Sequence, residues 1–129
     1  MVRKHPKKKS GGSRFSMVPC KVLANPDVTG LNHAAFRVLV LLAGQYKGSN
    51  NGALGLSKSQ AEALGVSNKT LYRSLRALEA IDVIRQTYPA SRVPPRPTMY
   101  ALTWQSLDDT EYSRETRTPA RLFRQSKWP

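Results

Sequence analysis

The sequence predicts a mainly α-helical single domain with a small β-hairpin, built on a three-helix core. Three observations lead there. Apolar residues recur at helical spacing in two stretches, Ala34-Ala35-Val38-Leu39-Leu42 and Leu71-Leu75-Leu78. Two segments that each open on a serine, Ser57 and Ser67, are separated by a tight turn at Gly65. Two β-rich runs, Val83 to Tyr88 and Thr98 to Trp104, then flank a segment rich in Pro and Arg.

Each element has a local reason. Asn25-Pro26-Asp27 marks a turn. Asn32 is placed to cap the first core helix, and Gly44 lies near its stop. Gly48-Ser49-Asn50-Asn51-Gly52 is a strong turn cluster, and Ala53 to Leu56 suits a short strand. Ser57 caps the second helix, which contains Ala61 and Leu64 and ends at Gly65. Ser67 caps the third, which ends near Ile81-Asp82 with Leu71, Leu75 and Leu78 inward. Pro89 to Pro97 reads as a long, stiffened loop between the hairpin strands. Residues 1–14 form a disordered basic arm and 15–106 the folded domain. Residues 107–129 form a tail, partly disordered or docking, in which Phe123 and Trp128 could dock and Trp128 is otherwise uncommitted.

Charge narrows the function classes. The 129 residues hold 21 Lys+Arg against 8 Asp+Glu, a net +13. Nearly half of that excess lies before Phe15, in Arg3, Lys4, Lys7, Lys8, Lys9 and Arg14 with no acid among them. Such a field attracts polyanions, nucleic acid first. The longest apolar run, Val38 to Ala43, falls far short of the roughly 20 residues of a membrane span. No apolar secretory segment opens the chain, and a single cysteine, Cys20, excludes an internal disulfide framework. A cytoplasmic, nucleoid-associated protein fits these features, without a membrane or a small-molecule substrate as partner.

The stretch from Lys58 to Leu75 carries the chemistry. Ala61 is small where two helices cross closely, and Gly65 supplies a left-handed backbone at the turn. Val66 fills the angle between the helices. This is the pattern of a helix-turn-helix, whose second helix offers its N-terminal end to a DNA major groove. From about Val18 to Trp104 the chain resembles the winged helix-turn-helix proteins of bacterial prophages, plasmids and other mobile elements. The matching pieces are Leu31-Asn-His-Ala-Ala-Phe-Arg-Val-Leu, Gly48-Ser-Asn-Asn-Gly52, Leu64-Gly-Val-Ser67, Leu75-Arg-Ala-Leu-Glu79, Val83-Ile84 and Tyr100-Ala-Leu-Thr-Trp104. The resemblance implies a three-helix core plus a wing. It departs at Asp82, where such proteins usually carry Gly, although Asp tolerates a left-handed backbone better than most residues. The proline-containing loop is also longer than a minimal wing.

If Leu71, Leu75 and Leu78 face inward, Lys69, Tyr72, Arg73 and Arg76 face out, with Asn68 and Thr70 on the first turn behind Ser67. Asn favours adenine and Arg favours guanine in the major groove, so Asn68, Tyr72 and Arg73 are the direct-readout candidates. Lys58, Ser59 and Gln60 at the preceding helix start suit phosphates. Arg92 and Arg96 on the loop suit a minor groove or phosphates, and the arm residues Arg3, Lys4, Lys7, Lys8 and Lys9 suit phosphates.

Other polar groups point to no enzyme. His5, His33 and Cys20 share no metal-ligand spacing, so no metal or cofactor is expected. Cys20 is expected to be a partly buried, inert thiol. Asp108, Asp109 and Glu111 read as a solvated tail pairing with Arg114 and Arg117, and Trp104 as a packing residue. The expected function is sequence-specific binding of double-stranded DNA as a transcriptional regulator of a mobile element. The rival readings are an accessory of replication or plasmid and phage maintenance that binds an origin or single strands, and a protein-interaction inhibitor. A homodimer would have to pair through the first helix, the hairpin or the C-terminal segment.

Overall fold

The computed structural model describes residues 15–110. The expectations for the arm 1–14, including His5, and for Glu111, Arg114, Arg117, Phe123 and Trp128 lie outside the described residues.

Two short helices lead in, α1 (Cys20–Leu23) and α2 (Pro26–Thr29). The expected turn at Asn25-Pro26-Asp27 is the start of α2. The Asn25 side chain accepts from the Asp27 N–H at 2.9 Å, and Pro26 sits at the first helical position, where its missing N–H costs nothing. Val22 and Val28 tie this pair to the core.

The long helix α3 (His33–Gln45) is capped by Asn32, whose side chain accepts from the Ala35 N–H at 2.8 Å. It buries Ala35, Val38, Leu39, Leu42 and Ala43, one stripe at helical spacing, and runs one residue past Gly44. After the turn cluster the chain does not make the expected strand over Ala53 to Leu56. It makes one bridge, Leu54 to Tyr100. The cause lies next door: the Gln45 carboxamide donates to the Gly55 carbonyl at 2.8 Å and accepts from the Gly55 N–H at 2.9 Å, occupying that backbone before a ladder extends. A Cβ at residue 55 would stand 2.7 Å from the Thr98 carbonyl, so only glycine fits there.

Helix α4 (Lys58–Ala63) opens on a capping box. Ser57 accepts from the Gln60 N–H, and the Gln60 side chain accepts from the Ser57 N–H. Gly65 takes φ +81°, as its place in the turn requires, and Val66 and Ala61 are buried beneath it. Helix α5 (Asn68–Ala80) is capped by Ser67 and packs chiefly against α3. Its inner face differs from the expected stripe. Leu71, Ser74 and Leu78 are buried, while Leu75 is only half-buried. Both 74 and 75 border a face centred between them, and the small serine occupies the deeper place.

The hairpin pairs β1 (Ile84–Tyr88) with β4 (Met99–Leu102), antiparallel, Ile84 opposite Leu102. A bulge at Thr87 lets consecutive residues Thr87 and Tyr88 both turn inward, and the Thr87 hydroxyl donates to the Gly52 carbonyl at 2.6 Å. The segment Pro89 to Pro97 is not a loop throughout. It holds a second short ladder, β2 (Ser91–Arg92) with β3 (Pro95–Arg96), closed by Val93-Pro94, whose peptide bond is cis. Prolines are tolerated because this ladder has only two strands and Pro95 does not have to donate to a neighbour on its far side.

Asn51, wholly buried, joins these parts. Its Oδ1 accepts from the Leu102 N–H at 2.7 Å, and its Nδ2 donates to the carbonyls of Leu102, Gln105 and Ser106 at 3.0, 3.2 and 2.9 Å. Its backbone N–H donates to the Asp108 carboxylate at 2.8 Å, and its carbonyl accepts from the Asp108 N–H at 2.9 Å. Asp108 is therefore a clasp on the turn cluster and not a solvated tail residue. Trp104 packs partly buried against the core, as expected. Cys20, in contrast, is exposed and free.

Asn51→Ala removes an acceptor and an amide donor from a buried site and strands the Leu102 N–H, so it should destabilise by about 2–4 kcal/mol in a denaturant melt. Leu78→Ala should cost about 2–5 kcal/mol, and Leu75→Ala distinctly less because its site is half open. Equal losses at 75 and 78 would contradict the packing described.

Candidate nucleic-acid interface

The site is assembled from the outer face of α5, the start of α4 and the tip of the hairpin. With Leu71, Ser74 and Leu78 inward, Asn68, Lys69, Tyr72, Arg73 and Arg76 are all exposed, as the sequence predicts. Thr70 is half-buried. Its hydroxyl accepts from Ser67 at 3.0 Å while the Ser67 oxygen accepts from the Thr70 N–H at 3.2 Å. Ser67 and Thr70 are thus committed to the helix start, leaving Asn68 and Lys69 as the outward side chains of that turn. No acid stands in the first turn of α5, so the positive end of the helix dipole adds to the lysine and arginine charge.

Lys58 and Ser59 are exposed at the start of α4, and the Ser59 hydroxyl lies 3.3 Å from that of Ser57. Gln60 is exposed, but its carbonyl oxygen is engaged by the cap. The hairpin tip folds toward this helix. Ser57 and Lys58 share a groove of about 330 Å³ with Ser91, Pro95, Arg96 and Pro97. Arg96, half-buried in its wall, is thereby brought near Lys58, whereas Arg92 stands exposed beside the tip. Nothing local in the sequence announces that the proline segment returns to α4.

The arginines divide by their partners. Arg37 reaches from α3 to the Leu64 carbonyl, where it braces the end of α4. Arg85 makes a two-point pair with Asp82, at 2.9 and 3.0 Å, and this hydrogen bonding raises its pKa. Asp82 itself has φ +60°, the left-handed conformation anticipated for it, and its carbonyl accepts from the Thr103 hydroxyl at 2.7 Å. On α5, Arg76 lies over the Tyr72 ring, 5.4 Å from its centroid, and donates to the Tyr72 hydroxyl. Sequence reasoning missed Arg37 and the Asp82–Arg85 pair. An arginine inside an apolar helix and an acid three residues before an arginine were their visible signals.

Among the described residues no group of three or more His, Cys, Asp or Glu is gathered as a metal site, and no helix is long and apolar enough to cross a membrane. Comparison with models of protein families, with curated proteins and with solved structures finds no match to this chain.

Tyr100 lies buried on β4, and burial, with smaller contributions from Glu79 and Tyr72 on α5, pushes its pKa up to about 12. A phenol whose folded pKa exceeds its unfolded value of about 10 stabilises the fold below pH 10 and withdraws that stability as pH rises toward 12. Unfolding titrations should show stability falling over that window. Tyr100→Phe should flatten the fall, and an unchanged slope in that variant would assign the alkaline loss elsewhere.

Proposed function

We propose that the chain is a winged helix-turn-helix protein that binds double-stranded DNA in a sequence-specific way, as a transcriptional regulator of a mobile element. The observation that carries this reading is the outer face of α5. Asn68, Lys69, Tyr72, Arg73 and Arg76 form an exposed polar and basic surface, on a helix fixed from behind by Leu71, Ser74 and Leu78. A rigid helix with that face suits a major groove, where Asn68 and Arg73 have the donor and acceptor patterns to read base edges. Lys58, Ser59 and the wing residues Arg92 and Arg96 flank it as phosphate contacts, which set register and carry no sequence information. The mechanism is occupancy of a site, with no cofactor and no catalytic residue.

The rival classes predict different binding. A single-strand binder needs several stacking aromatics along a groove. On the α5 face the exposed aromatic is Tyr72, already covered on one side by Arg76. An inhibitor of another protein would bind duplex only weakly and without preference.

Selection from a random duplex library is the test. A regulator should enrich one site and prefer it over random duplex by roughly a thousandfold or more. An inverted repeat in that site would mean that two copies bind together. Arg73→Ala and Asn68→Ala should each cost roughly 1–3 kcal/mol and relax preference at one or two base pairs. Wild-type preference in both variants would remove α5 from base reading.

The arm makes a separate contribution in this reading. Each phosphate neutralised adds about −0.9 to the slope of log affinity against log salt. If about four of the arm charges engage, deleting residues 1–14 should flatten the slope by roughly 3 to 4, with specific and random duplex weakened alike. An unchanged slope would exclude the arm from binding.

A further inference from the structure

We infer that Tyr72 and Arg76 act as a single donor-only unit that selects guanine on a major-groove edge, with Tyr72 as the residue that positions Arg76. The inference rests on the duplex-binding reading and goes beyond it by naming a base and a device. One turn apart on α5, the two side chains meet on its exposed face. The guanidinium lies over the phenol ring and one of its N–H groups donates to the phenol oxygen. Tyr72 is 60% exposed, so the pair stands in solvent and not in the core.

Hydrogen-bond accounting gives the pair its chemical character. The phenol oxygen accepts from Arg76, so the hydroxyl hydrogen is left to point away from it, and no acceptor for that hydrogen is found among the described residues. The guanidinium has five N–H groups and accepts nothing. No carboxylate pairs with it among the described residues, unlike Arg85, whose guanidinium is held by Asp82. The pair therefore offers donors only. In the major groove guanine presents two adjacent acceptors, N7 and O6. Adenine and cytosine each present an amino group that would oppose a second donor, and thymine has a single acceptor beside a methyl group. Guanine is thus the base that satisfies both partners.

The ring has a second effect. A free arginine loses much rotamer freedom on binding, and holding the guanidinium against an aromatic face before contact lowers that loss. Tyr72 need not touch the base to matter.

The test uses the full chain and the site enriched from a random duplex library. Wild type, Tyr72→Phe, Tyr72→Leu and Arg76→Ala are compared on that site, on random duplex, and on copies with single guanines replaced by 7-deazaguanine, which lacks the N7 acceptor. One guanine should exist whose replacement weakens wild type about tenfold while hardly affecting Arg76→Ala, which has no donor to lose there. Tyr72→Phe should lose affinity several-fold at that guanine and leave random duplex unchanged. Equal losses on enriched and random duplex in Tyr72→Phe and Arg76→Ala would mean that the pair grips phosphate, which overturns the inference but not duplex binding. Without DNA, the Arg76 Nε–H resonance should shift in Tyr72→Leu as the ring current is lost, and an unmoved resonance would overturn the positioning role. A library with no enriched site overturns the duplex-specific reading and the guanine assignment with it, whatever the resonance shows.

Discussion

The carboxamide of Asn51 is the joint on which the rest of the arrangement depends. From the turn cluster after α3 it reaches the backbone at the end of β4 and in the irregular segment that follows, while the Asn51 backbone N–H donates to Asp108. One carbonyl oxygen and one NH2 group serve Leu102, Gln105 and Ser106, and each such buried group left unpaired would cost about 1–3 kcal/mol. An apolar side chain of similar size would fill the volume and leave those groups stranded. The hairpin is thereby fixed to the C-terminal end of α3, the helix against which α5 packs. The placement of the hairpin relative to the outward face of α5 follows from this polar contact and the α3–α5 packing together.

Electrostatics then sorts the basic residues into two populations. Arg37 and Arg85 have partners inside the fold, a backbone carbonyl and a carboxylate. Lys69, Arg73 and Arg76 lie on one exposed face, and the acids of α5 stay off its first turn. A uniformly charged surface would attract a polyanion without orienting it. Gathering cations on one face of a rigid helix, with Lys58 and Arg96 in a neighbouring groove, gives the field a direction.

Much of this was legible in the sequence because helix ends are written locally. Asn32, Ser57 and Ser67 each cap within three residues of themselves, Gly65 announces left-handed backbone by its type, and Asp82 tolerates it better than most residues. The outward residues of α5 followed from the helical period. What could not be read depends on residues distant in the chain. Asn51 looks like any turn-forming asparagine until β4 arrives fifty residues later. Gln45 is an ordinary helix-end polar residue until Gly55 meets it. Ser74 lies deeper than Leu75, whereas periodicity alone weights the larger apolar residue. The short ladder within Pro89 to Pro97 was hidden by its prolines, which argue against strand wherever both edges must pair.

The end of α5 carries the second polar joint, and it gives a physical reason for an aspartate at a left-handed position. Glycine would adopt φ +60° more cheaply, by about 1 kcal/mol or more for the left-handed region. It would offer no carboxylate to Arg85. With aspartate the same residue ends the helix, accepts from Thr103 through its carbonyl and pairs with Arg85 of strand β1 through its side chain. The link between α5 and β1 is then three residues long and bonded on both sides. A hinge there would let the hairpin move independently of the helix. Asp82 and Asn51 both grip the base of the β1–β4 pair, so the hairpin is held to α5 there from both of its strands. On the reading proposed above, a partner would meet helix and hairpin already ordered, and less of the interaction energy would be lost to ordering.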